Sequence, residues 1–202
     1  VGLQFHELTT SPAHRVLLRR FYDDAYAPEF PDPDERESLG NIERYLDLKA
    51  QGWYGDNAYH VTVAEDAGAV VGGAIADYLA APNAGVVEFL VVTPAARGRG
   101  LGGRLLDVTE AAIAADARRV GRPGADFVIA EINDPFRVDL AADNLDPFLR
   151  ARVWSGWGYR KLDFPYVQPA LSANQKPVGH LLLAAKILRR EGNGTKPRAS
   201  CV

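Results

Sequence analysis

The chain has 202 residues, enough for one domain with a substantial core. Hydrophobic residues at 47% and charged residues at 24% are ordinary for a globular protein, which sets aside fibrous and disordered classes. A net charge of −3 argues against a nucleic-acid-binding surface, and no apolar run reaches the roughly 18 residues of a membrane span. No charged-then-apolar leader opens the sequence, so the expected location is the cytoplasm. The single cysteine, Cys201, excludes a disulfide framework and any thiolate metal site. His6, His14, His60 and His180 lack the paired spacing of metal ligands, so no metal is expected.

Residues 3–8 alternate apolar and polar and predict an opening strand. A Thr-Thr-Ser-Pro cap, with Pro12 at the first helical position, starts a helix to about Tyr26. Its apolar side should carry Val16, Leu17, Phe21 and Ala25. Pro28, Pro31 and Pro33 break it. From Asp23 to Glu37 carboxylates crowd around the single Arg36, with Tyr22, Tyr26 and Phe30 among them. Two readings stand here: a solvated acidic loop anchored by its aromatics, or a lip that draws in a cationic acceptor.

A second helix is expected from Glu35 to about Ala50 on the spacing of Leu39, Ile42 and Leu46. Strands follow over residues 58–65 and 70–79, joined by the hairpin turn Asp66-Ala67-Gly68. Gly72 and Gly73 in the second of these imply a bulge or a close neighbour. Pro82-Asn83-Ala84-Gly85 then turns into a third strand, Val86 to Val92, and three strands without an intervening helix make an antiparallel meander.

After this strand come a Thr93-Pro94 turn, the loop Arg97-Gly98-Arg99-Gly100-Leu101-Gly102, and a helix to about Arg119. Helix starts expose unpaired N–H groups and the positive end of the dipole, and glycines let the backbone approach a ligand closely. The loop therefore reads as a cradle for a pyrophosphate-bearing cofactor. A strand over 127–132 follows and should lie parallel to the one ending at Val92, because a helix joins them. The remainder is an irregular stretch over 134–143, a short helix from Pro147 to about Ser155, and strands over 157–162 and 180–187 around a long proline-bearing loop. Residues 191–202 are expected to be a loose, flexible tail.

Gly98, Gly100 and Gly103 also satisfy the dinucleotide pattern G-x-G-x-x-G, but an antiparallel meander is the wrong context for it. No Gly-Lys-Ser/Thr completes a Walker A motif, and Ser155 lacks the glycine of a nucleophile elbow. Arg-x-x-Gly-x-Gly, met by Arg97, Gly100 and Gly102 after the strand and Thr-Pro turn, resembles the acetyl-CoA motif of the GNAT N-acetyltransferase superfamily. The order of elements agrees with that family over residues 1 to about 190. The resemblance implies an α/β fold of the α+β type: a mixed, mostly antiparallel central sheet of about seven strands, flanked by helices, with a splayed parallel pair at the cofactor site. One domain over 1–190 is implied.

The same resemblance implies acetyl-CoA as acyl donor and a small-molecule or peptide amine as acceptor. It implies no nucleic-acid or membrane partner, and a monomer or homodimer. Backbone groups of Leu90, Val91 and Val92 would pair with the pantetheine arm. The N–H groups from Arg97 through Gly98, Arg99, Gly100 and Leu101 to Gly102 would hold the pyrophosphate. The attacking amine must be neutral, so a base is needed; Glu88 on the motif strand is the first candidate and Glu131 on the neighbouring strand the second. If both point the same way, like-charge repulsion raises one pKa. The family often places a tyrosine acid four residues before the glycine of a Gly-Tyr pair. Here the pair is Gly158-Tyr159 and the position holds Trp154, so either Tyr159, Tyr166 or water substitutes, or catalysis relies on proximity alone. A module that binds acyl-CoA without turning it over is the alternative reading.

Overall fold

Serine caps set where the two N-terminal helices begin. Ser11 Oγ accepts from the His14 N–H at 3.3 Å and opens α1, Pro12–Phe21. Ser38 Oγ accepts from the Asn41 N–H at 3.2 Å and opens α3, Leu39–Ala50, later than the predicted start at Glu35. Between them, Tyr22–Tyr26 widens into a π turn that sends both Ala25 and Tyr26 inward, and the short α2, Ala27–Glu29, closes the segment. The buried face of α1 is Leu17, Leu18 and Phe21, whereas Val16, expected on it, is 63% exposed. The computed structural model describes residues 2–139 and 143–188. The tail expected over 191–202 lies outside the described residues.

Seven strands form one sheet in the order β1-β2-β3-β4-β5-β7-β6. They are β1 Gln4–Glu7, β2 Ala58–Asp66, β3 Ala69–Leu79, β4 Ala84–Val92, β5 Phe127–Asn133, β6 Arg160–Lys161 and β7 Leu181–Ile187. Every neighbouring pair is antiparallel except β4 and β5, which are parallel and joined through α4, Leu101–Arg119. This is the mixed α/β sheet the sequence implied. The strand predicted over 157–162 shrinks to Arg160–Lys161, because Trp157 closes α5, Pro147–Gly156, and Gly158 turns the chain with φ 95°.

Alternation along the strands divides the core. Val61, Val63, Ile75, Phe89 and Val91 pack against α1 and α3 on one face. Ala76, Tyr78, Val87, Val128 and Ala130 pack with Leu106 and Ile113 of α4 on the other. Side chains such as Phe21, Ile75 and Leu105, all fully buried, contribute about 1.5–3 kcal/mol each. The strand glycine Gly73 marks a close neighbour: a Cβ there would stand 2.5 Å from the Phe21 ring. No helix among the described residues is long and apolar enough to cross a membrane.

Candidate active site

The site grows from one irregularity in β4. Its pairing with β3 runs in step from Gly72↔Val92 to Ile75↔Phe89 and then slips to Ala76↔Val87, leaving Glu88 as the extra residue of a β-bulge. Residues two apart on a regular strand share a face. Here Val87 packs on the α4 side and Phe89 on the α1 side, which the bulge makes possible. On its other edge β4 pairs with β5 only from Ala84↔Phe127 to Val87↔Ala130. Beyond that pair the two strands part, and Glu88 and Glu131 are the first residues past the last rung. Ala130 and Ile132 pack on the α4 side, so Glu131 faces the opposite way; Asp77, between Ala76 and Tyr78, does the same. Three carboxyl groups thus share one face of the sheet.

A cleft of about 860 Å³ opens at this parting. One end is lined by Leu90, Val92, Gly98, Gly100, Gly102 and Trp157, the other by Phe30, Glu35, Glu88, Glu131 and His180. The Thr93 N–H donates to Val71 O at 3.0 Å, and Val91 O also faces β3, 2.4 Å from where a Cβ on Gly72 would stand. By alternation, Leu90 and Val92 turn their N–H and C=O groups away from β3 toward the gap, where Val92 O is taken by Arg97 Nε, while Val91 gives its own to the β3 ladder. Of the three strand residues expected to meet a donor arm, Leu90 and the Val92 N–H face the gap and Val91 faces β3.

Gly98 and Gly100 have φ of 75° and 74°, a region that penalises side chains, and Gly100 caps α4 with no side-chain hydrogen bond at the helix start. Leu101 is buried and anchors the first turn. A Cβ on Gly102 would stand 3.0 Å from the Trp157 ring. Arg97 is folded back: its Nε donates to Val92 O at 3.1 Å, its guanidinium pairs with Glu29 of α2, and it reaches Asn144 O at 3.5 Å. Arg99 is the exposed charge of the loop, 3.5 Å from Asp66.

Electrostatics differ between the two ends. Burial, and then the neighbouring carboxyl of Asp77, push Glu88 well above the usual carboxylate range; Glu131 and Glu37 add to this. Burial raises Asp77 as well, against the hydrogen bond it shares with Glu88. Burial also raises Glu131, partly offset by the hydroxyl of Tyr166, which donates to it from the loop between β6 and β7. Tyr159 does not line the cleft. Its hydroxyl donates to Glu110 of α4 at 3.1 Å, and its ring packs on Trp154 within the α4-side core. Tyr159, expected as one possible substitute for the acid, thus lies on the α4 side of the sheet and is not among the residues lining the cleft. Trp154, at the position the family gives to that acid, lines the cleft.

The acidic segment splits between its two readings. Glu29, Asp32 and Glu35 line the cleft, Glu35 bonding His180 at 2.6 Å, and Glu37 is buried against Asn41 at 2.8 Å. Asp23 and Asp24 face solvent. One network carried no sequence signal. The Asp143 carboxylate accepts from both terminal nitrogens of Arg150 at 2.5 Å and from Asn133 at 2.7 Å. Burial alone would raise that carboxyl; these bonds outweigh it and hold it below the usual range.

The sheet thus parts at a bulge that carries Glu88, beside a helix start with no side-chain cap. The sequence profile of the acetyltransferase (GNAT) family matches residues 17–122, which include the bulged strand and the glycine loop. The protein belongs to the GNAT family of acetyltransferases. Among solved structures, a GNAT-family protein of Bacteroides thetaiotaomicron is 19% identical with a TM-score of 0.61, covering 93% of this chain and 88% of its own. The ribosomal-protein-S18-alanine N-acetyltransferase of Escherichia coli is 13% identical, TM-score 0.58, with 96% and 99% covered. The ribosomal-protein-alanine N-acetyltransferase of Brucella melitensis is 22% identical, TM-score 0.55, with 92% and 99% covered. At these identities the likeness is one of fold. No curated protein matches the chain by sequence.

Proposed function

We propose that the protein is an acetyl-CoA-dependent N-acetyltransferase that moves the acetyl group directly to a primary amine. The observation that carries this reading is the meeting, in one cleft, of the parted β4–β5 backbone, the uncapped start of α4 and the bulged Glu88. The residues fit such a donor. Nothing lies within 4 Å of where a Cβ would stand on Gly98 or Gly100, which leaves room for backbone N–H groups of the loop to close on a pyrophosphate. Leu90 and Val92 offer strand groups to a pantetheine amide, and Leu101, Leu149 and Val153 line the same end with apolar surface.

The bound thioester supplies an activated acyl carbon; the rest falls to this chain. A gap-facing N–H of Leu90 or Val92 stabilises the carbonyl oxygen as it turns negative. Glu88 takes the proton the amine gives up as its bond to carbon forms. The electron pair of the breaking carbon–sulfur bond leaves on sulfur, and water in the cleft protonates the thiolate, because an indole at position 154 cannot. Glu35, Glu131 and the Phe30 ring favour a cationic amine at the acceptor end by charge and cation–π contact; it gives one proton to cleft water to become the neutral nucleophile before Glu88 takes the second. Thiol release from acetyl-CoA with a panel of amines tests the reading. Amine-dependent, saturable release is expected, and Glu88→Gln should lower it roughly 10²–10⁴-fold. CoA binding with no turnover on any amine would leave only a binding module and overturn the proposal.

A further inference from the structure

Beside the cleft, Asp77 Oδ1 is buried and no N–H or O–H group donates to it. A buried acceptor without a donor costs about 1–3 kcal/mol, so its surroundings should supply one. Asp77 lies opposite Val86, and the next residue of β4 on that face is the bulged Glu88, whose carboxyl is within hydrogen-bonding reach. Ionised carboxylates only accept hydrogen bonds, so two of them cannot bond to each other without a proton. We infer that Asp77 and Glu88 act as one carboxyl pair that shares a single proton, Asp77 being a positioning residue that completes the site into which Glu88 takes the proton of the amine.

This rests on the reading of Glu88 as the base. The proton balance is simple. The pair that has lost its shared proton carries two negative charges; on taking the amine's proton it carries one, and the proton then passes to cleft water. The groups facing the pair reinforce it. Glu131 of β5 and Glu37, just before α3, act on Glu88 as like charges. The phenols of Tyr26 in the π turn, Tyr45 of α3, Tyr54 in the turn before β2 and Tyr59 at the start of β2 face it in their neutral form. His60 of β2 acts on Asp77 in the opposite sense, favouring its ionised form. Because protonation belongs to the pair, its upper step should appear as the acidic limb of the rate profile.

The pH dependence of kcat/KM for amine-dependent thiol release tests this in the wild type, Asp77→Asn, Glu88→Gln and the double variant, with melting curves to establish folding. Removing the like charge leaves Glu88 easier to ionise, so in Asp77→Asn the acidic limb should move to lower pH by about 1–3 units. Its plateau should fall, because the base is weaker. The limb should vanish in Glu88→Gln, and adding Asp77→Asn to that variant should change the residual rate little, since Asp77 acts through Glu88. A lower plateau with an unmoved limb in Asp77→Asn, while Glu88→Gln abolishes the limb, would overturn the pair and leave Glu88 as a lone base. A limb that survives Glu88→Gln would remove Glu88 from the role and the pair with it.

Discussion

His60 gives a measurable handle on how the long helix carrying the glycine loop is held. It sits on β2 with a side chain only 11% exposed, between Asp116 of α4 at 2.6 Å and Glu7 of β1 at 2.9 Å. Burial alone would disfavour the charged ring, but the hydrogen bonds to Asp116 and Glu7 outweigh it and push its pKa from 6.5 up to about 9. The folded protein therefore holds a proton that the unfolded chain releases near 6.5. The stability this confers is fully present below about pH 6.5 and is lost as pH rises through about 9. A rise of roughly 2.5 units corresponds to about 3 kcal/mol. For a domain of this size that is roughly 6–12 °C in Tm. His60→Gln has no proton to lose. Urea denaturation of both proteins at pH 6 and pH 9.5 should show a stability gap that narrows by about 3 kcal/mol at the higher pH, with other titrations cancelling in the difference. A gap that stays constant across that window would refute the charged-histidine account.

Gly100→Glu places charge and bulk at a backbone position with φ 74°, and should weaken CoA binding by calorimetry more than about 10²-fold while a native circular dichroism spectrum persists. Unchanged affinity would put the pyrophosphate elsewhere. Glu29→Gln releases Arg97 from its ion pair and should tighten CoA binding about 5–30-fold, an effect that shrinks at high salt; weaker binding would mean that Glu29 holds the loop in its competent shape. Tyr159→Phe deletes only the hydroxyl bonded to Glu110. It should cost about 1 kcal/mol of stability with kcat changed less than about twofold, and a large loss of kcat would return Tyr159 to the chemistry.

The elements that periodicity and caps control were legible in the sequence. The meander, α4 from Leu101 to Arg119 and the parallel β4–β5 pair follow from alternation, glycine stops and a helix between two buried-type strands. Glu88 and Glu131 could be picked out because each breaks an apolar run. What could not be read depends on register or on tertiary contact. The π turn at Tyr22–Tyr26 has no signature in Tyr-Asp-Asp-Ala-Tyr, yet it buries Ala25 and Tyr26 in succession. The α4-side position of Tyr159 follows the positive-φ turn at Gly158, which the residue pattern of 159–161 does not announce. Asp77 looked like an ordinary polar position of a half-buried strand. Its place beside Glu88 needs the bulge, which no spacing within β4 announces.

That bulge is a common cause of the two halves of the cleft. An inserted residue adds local twist and interrupts pairing. Here the β4–β5 ladder ends at Val87↔Ala130, immediately before the insertion. The parting leaves the Leu90 groups and the Val92 N–H without a β5 partner, and the same insertion brings Glu88 to the cleft on the face of Asp77 and Glu131. On the proposed reading, donor positioning and proton acceptance are thus tied to one backbone feature. Removing the carboxylate while keeping the bulge alters the chemistry with the donor site intact; restoring regular pairing would close both. The glycine loop lies a short turn further along the same strand, so its distance from the reacting centre is set by rigid backbone rather than by side chains.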